Sequence, residues 1–151
     1  MAKRQLTMTV QATGVRETLA AFRGLPKEAS AEIRSTSEDL ARLLAASAQR
    51  SGRQEGHQAA LVAATVKPAR DRVPVVQAGG SKRLGSRRAP AWKLLFGSEF
   101  GSDDYPQFPR AHLGNVGIWF FPVVEQEAGP ILVQWRQAAD RIVRAFTKGS
   151  E

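Results

Sequence analysis

No disulfide is available to this chain, because its 151 residues include no cysteine. Thiolate metal sites are excluded for the same reason, so the fold rests on packing alone. Histidine is nearly as scarce. His57 and His112 are far apart, and neither has a ligand partner at helical spacing. No apolar run approaches the roughly 18 residues of a membrane helix, and the N-terminus lacks the apolar core of a signal peptide. The expectations are therefore no metal, no cofactor, no membrane contact and synthesis in the cytoplasm.

Catalytic motifs are also missing. Nothing has the form of a P-loop or a dinucleotide fingerprint. Ser98 faintly resembles a nucleophile elbow, but Gly97 directly precedes it and the G-x-S-x-G frame is absent. Asp103 and Asp104 sit side by side in a Gly/Ser/Pro loop, where adjacent acids are ordinarily just solvated. The chain is expected to be no enzyme and to take no small-molecule substrate.

Charge, by contrast, is abundant and unevenly placed. Hydrophobic content of 42% and charged content of 24% are those of an ordinary globular protein, and the length suits one domain, residues 1–151. The net charge is +8. Residues 1–66 carry nine Lys/Arg against six Asp/Glu, a net +3, and residues 94–151 carry five against seven, a net −2. Residues 67–93 carry eight (Lys67, Arg70, Arg72, Lys82, Arg83, Arg87, Arg88, Lys93) against Asp71 alone, a net +7. So concentrated a patch points to a polyanion partner; the plainer reading is a solvated loop that aids solubility.

Hydrophobic periodicity gives an α+β chain. Gln5–Thr13 alternates as a half-buried strand, and Val15–Phe22 reads as a short helix or turn ending at Gly24. From Pro26 to Gly52 runs the clearest long helix, with Ala29, Ile33, Thr36, Leu40, Leu43/Leu44 and Ser47 on one thin stripe. Such a stripe suits either close helix packing or a helix completed by a neighbouring subunit. Ser51–His57 reads as a polar loop, and Ala59–Val66 as a helix end turning into a strand. Val73–Gln77 is a strand, which Pro74 assigns to a sheet edge. Residues 78–92 form a basic flexible loop, and Lys93–Phe96 a short strand ended by Gly97. Residues 101–116 are a second long loop. Ile118–Phe121 is a strand or pre-helix segment. Gly129-Pro130 opens a last helix carrying Ile131, Trp135, Ala138/Ala139, Ile142 and Ala145/Phe146, closed by Gly149. The architecture expected is a small antiparallel or mixed sheet packed on one long helix of the N-terminal half and a C-terminal helix, with long assembly loops.

Two groups of residues stand out as contact candidates. Lys82, Arg83, Arg87 and Arg88 lie on a Gly/Ser frame with no aromatic residue between them. That suits sequence-independent phosphate contact better than base stacking. The alternative is a loop that pairs with acidic residues of a neighbouring protein. The second group is aromatic. Trp92, Phe96, Trp119, Phe120, Phe121 and Trp135 read mainly as core, whereas Phe100, Tyr105 and Phe108 sit at loop edges beside Gly or Pro, as interface aromatics do.

The order of these features resembles the gene-product-ten-like neck family of tailed bacteriophages, the head–tail connector or tail-completion proteins of HK-type siphophages. The similarity lies in Leu95-Phe96-Gly97-Ser98-Glu99-Phe100-Gly101, then Pro106 and Pro109, then Phe121-Pro122-Val123-Val124, then Ile131–Phe146. Ala78-Gly79-Gly80 is similar to versions from phages of actinobacteria. The chain departs from the commoner pattern in lacking an Arg-Pro-Phe step before Pro122 and in its enlarged basic loop.

The resemblance implies a structural virion protein at the head–tail junction, made in the host cytoplasm. It would form a ring of about six or twelve copies between the portal-bound connectors and the tail, with double-stranded DNA passing through the lumen without sequence specificity. Its partners would be itself and other neck and tail proteins. Glu99, Phe100, Gly101, Tyr105 and Phe108 would then lie at subunit interfaces, and Lys82, Arg83, Arg87 and Arg88 would face the DNA channel or a neighbouring ring. The alternative is a stand-alone, sequence-independent nucleic-acid-binding protein that uses the basic loop.

Overall fold

The computed structural model describes residues 6–9, 15–110 and 117–148, the first of these as backbone only. Gln5 and Val10–Thr13 of the expected first strand, residues 111–116 of the expected second loop, including His112, and Gly149 lie outside the described residues. The fold is α+β. Strand β1 (Leu6–Thr9) leads to α1 (Val15–Ala21), the long α2 (Lys27–Glu55) and the short α3 (His57–Ala63). Strands β2 (Lys67–Ala69) and β3 (Val75–Ala78) follow, then β4 (Arg83–Leu84), β5 (Ala89–Pro90), α4 (Ala91–Phe100) and α5 (Phe120–Lys148).

Helices α2 and α5, each 29 residues, pack along one another and form most of the core. On α2 the buried positions are mostly small: Ala29, Ser37, Ala41, Ala45, Ala48 and Gly52 interrupt Ile33, Leu40 and Leu44. Opposite them α5 supplies bulk in Phe120, Val124, Ile131, Leu132, Trp135 and Ile142. Of the expected stripe, Ala29, Ile33, Leu40 and Leu44 are covered within the chain, whereas Leu43 is 58% exposed. Small residues on one helix make room for large rings on the other, as close packing requires.

Gly52 shows the same trade. It was expected to end α2, yet the helix runs through it to Glu55 and takes in most of the expected polar loop. A Cβ at Gly52 would stand 2.8 Å from the Trp119 ring and 2.9 Å from the Ala63 methyl, so no side chain fits. Its poor helix propensity, about 1 kcal/mol against alanine, is the cost of seating the indole.

The main sheet has the order β1-β3-β2, antiparallel throughout. Leu6 pairs with Ala78 and Thr9 with Val75 on one side of β3, while Lys67 pairs with Gln77 and Ala69 with Val75 on the other. The strand assigned to an edge is thus the central one. Pro74 precedes its first paired residue, so the missing N–H removes no ladder bond. Pro68 lies on β2, an outer strand, where proline is tolerated. Val75 and Val76 alternate in direction and are both buried, so β3 is covered on both faces.

Three further elements differ from expectation. Residues 83–90 form a two-stranded hairpin in place of the flexible loop, with Arg83 paired to Pro90 and Leu84 to Ala89. Lys93–Phe96 belongs to helix α4, not to a strand: Ala91, Leu94, Leu95, Ser98 and Glu99 are buried at three-and-four spacing. Finally, α5 starts ten residues before Pro130, which lies inside it. A proline in a helix interior costs about 3 kcal/mol, so the first turns need a strong hold from elsewhere. Glu99 provides it.

Candidate interaction surface

Helix α4 has an inner and an outer face, and the sequence signals divide between them. On the inner face Glu99 is fully buried. Its Oε2 accepts hydrogen bonds from the backbone N–H groups of Trp119 at 3.2 Å and Phe120 at 2.7 Å, and its Oε1 from Phe121 at 3.1 Å. The Ile118 N–H donates to the Glu99 carbonyl at 3.0 Å. A side chain of one helix thereby caps the first turn of another, satisfying N–H groups that have no partner within α5 and placing an acidic group at its positive end. Ser98 completes the joint: its Oγ accepts from the Trp119 indole N–H at 3.1 Å and donates to the Leu95 carbonyl at 3.1 Å.

This approach depends on Gly117, where a Cβ would run into Glu99 Oε1. The expectation that Glu99 lies on an exposed contact edge is therefore corrected, since its acceptors are spent inside the fold. Gly101, at φ 78°, terminates α4 and donates its N–H to the Gly97 carbonyl at 2.8 Å. It is half-buried and also lines the groove of the outer face.

The outer face is aromatic. Phe100 is half-buried and stacks on Phe96 with centroids 6.0 Å apart, and it tilts against Phe121 at 5.8 Å. The half-buried Phe108 lays its ring over Gly97, where a Cβ would come within 2.6 Å. Phe96 is 46% exposed and Tyr105 58% exposed. Together with Trp92 and Lys93 these rings line a groove of about 590 Å³. Lys93 Nζ stands 5.5 Å from the centroid of the Trp92 ring. A second cavity of about 410 Å³ reaches from the groove to the hairpin, sharing Ala89, Leu94 and Tyr105 with it and adding Leu61, Leu84 and Arg87.

The basic candidates all lie on or beside the hairpin, and all are exposed. Lys82 stands before β4 and accepts at its carbonyl from the Ala91 N–H, 2.8 Å, which fixes the hairpin to the start of α4. The Arg83 guanidinium donates to the Arg88 carbonyl at 3.1 Å, and Arg88 takes a positive φ of 51° in the turn. Arg87 lines the second cavity. On the other side of the segment Lys82 and Lys67 border a polar cavity of about 320 Å³ floored by Thr65, Gln77 and Gly79. Among the described residues, no cluster of three or more His, Cys, Asp or Glu is placed to hold a metal ion, and no helix is long and apolar enough to cross a membrane.

The structure thus brings the four basic residues together and gathers Phe100, Tyr105 and Phe108 around one groove. Gly101 lines the same groove, and Glu99 alone is turned away into the core. Phe96 was missed as a surface residue because the run Leu94–Phe96 read as a core strand. On a helix, Phe96 points away from Leu94 and Leu95.

No family model matches this chain, and comparisons with curated proteins and with solved structures return no match either.

Proposed function

We propose that the chain is a structural protein of a phage head–tail junction, assembling into a ring that joins the head connector to the tail and lets DNA pass through its lumen. The observation that carries this reading is the juxtaposition of the basic hairpin, with Arg83, Arg87 and Arg88, and an exposed aromatic groove. A ring subunit needs an apolar patch for protein contact, and a channel or docking rim needs cations that do not depend on sequence. The order of elements supports it as well. A strand and long helix precede the basic segment, and the Glu99-Phe100-Gly101 step leads through a Pro-rich stretch into a closing helix.

In this reading Lys82, Arg83, Arg87 and Arg88 touch DNA phosphates or an acidic neighbouring ring, and Lys67 joins Lys82 at the polar cavity. A stand-alone nucleic-acid-binding protein would use the same cations. Light scattering on the purified chain, alone and with double-stranded DNA, distinguishes the two. A closed oligomer formed without DNA, or formed on adding neighbouring neck proteins, supports the neck reading. A monomer that coats DNA and never oligomerises contradicts it.

A further inference from the structure

The aromatic groove and the hairpin together have the chemistry of a peptide-docking site. We propose that the groove between α4 and residues 102–108 receives an acidic segment of a partner protein, anchored by one aromatic or large aliphatic side chain. The proposal does not depend on the neck reading, because it concerns only what the groove binds.

Three observations carry it. The first is size: about 590 Å³, beside a second cavity of about 410 Å³ that shares Ala89, Leu94 and Tyr105 with it, is enough for a large side chain and its flanking backbone. The second is charge. The two cavities are lined by Lys93, Arg87 and His57 and by no acidic residue, with Arg83 and Arg88 close by on the hairpin. Asp103 and Asp104 lie on the 102–108 segment itself but line neither cavity. An apolar floor with a cationic rim is complementary to an apolar anchor between carboxylates.

The third observation is ring orientation, which argues against a nucleic-acid base as the occupant. Base binding displays flat aromatic faces in a row. Here Phe96 and Phe100 stack on each other, Phe100 also meets Phe121, and Lys93 stands over the Trp92 face. What remains open is a cleft between the rings, suited to an inserted side chain.

The test is selection of a displayed library of random short peptides on the full chain, followed by anisotropy titration of the enriched peptides. The expected consensus is one aromatic or aliphatic anchor flanked by Asp or Glu. Phe96→Ser and, independently, Tyr105→Ser should each weaken binding about tenfold, as hot-spot truncations do. Arg87→Glu with Lys93→Glu should weaken it further and flatten its salt dependence. All these side chains are exposed, so thermal melts of the variants should stay close to the parent. The proposal is overturned by a consensus without acids, by no enrichment, or by full binding in both serine variants. It is overturned equally if Phe96→Ser abolishes binding of a single-stranded oligonucleotide, or changes the chain's own oligomeric mass while no peptide binds.

Discussion

The inner and outer faces of α4 are one residue apart in sequence and opposite in physics. Glu99 is buried, and backbone donors hold both of its carboxylate oxygens, so its worth is geometric and its tolerance small. Phe96, three residues earlier, is nearly half exposed in a groove that Lys93 also lines. A change on the inner face should therefore be read in stability, and a change on the outer face in binding. The aromatic-glycine run that looks like one signal holds two, separated only by helical geometry.

The sharpest way to break that division is Gly117→Ala, whose methyl must displace the Glu99 carboxylate. Overpacking combined with loss of the cap should cost about 4 kcal/mol and lower Tm by roughly 12 °C in a thermal melt. Glu99→Ala keeps the space but leaves buried N–H groups unpaired, for about 3 kcal/mol. Glu99→Gln should recover part of that loss, because one acceptor oxygen survives. Full recovery would show that charge at the helix end contributes nothing. Gly52→Ala sets overpacking against Trp119 against a gain in helix propensity, and chemical denaturation should show a net loss of about 1–2 kcal/mol.

The opposite sign is expected at Gly129, which lies in the interior of α5 with nothing within 4 Å of an added Cβ. Gly129→Ala should raise stability by less than about 1 kcal/mol, because the propensity gain is partly offset by contact of the added Cβ with the Pro130 ring that follows. Smallest of all in the melt should be Lys82→Ala, Arg83→Ala, Arg87→Ala and Arg88→Ala combined. These side chains are exposed, and the combined shift should be about 2 °C or less.

How far the sequence could be read follows from where each signal resides. The stripe of α2 and the C-terminal half of α5 are long periodic patterns, and both were legible. Helix α4 was not, because a run as short as Trp92–Phe96 fits either period. The start of α5 was hidden by Pro130, a residue favoured at helix starts; only the cap from Glu99 explains why the helix begins earlier. Pro74 pointed to an edge, since sequence does not reveal that pairing begins one residue later. In the candidate site, the cations Lys82, Arg83, Arg87 and Arg88 were legible as a cluster from their spacing alone. Glu99 stood out only within the motif that carries the resemblance, because its partners are N–H groups about twenty residues downstream, which no local pattern reports. Phe96 was lost with the helix that exposes it.

The central claim is that the exposed basic hairpin acts in assembly while the buried joint acts only in folding. Under the proposed neck reading, its most direct test is negative-stain electron microscopy of lysates of a phage that would encode the chain, with the quadruple alanine variant in place of the parent. The account predicts that heads and tails accumulate unjoined, or heads lose their DNA, although the variant chain melts like the parent. Joined, infectious particles at parental yield would contradict it.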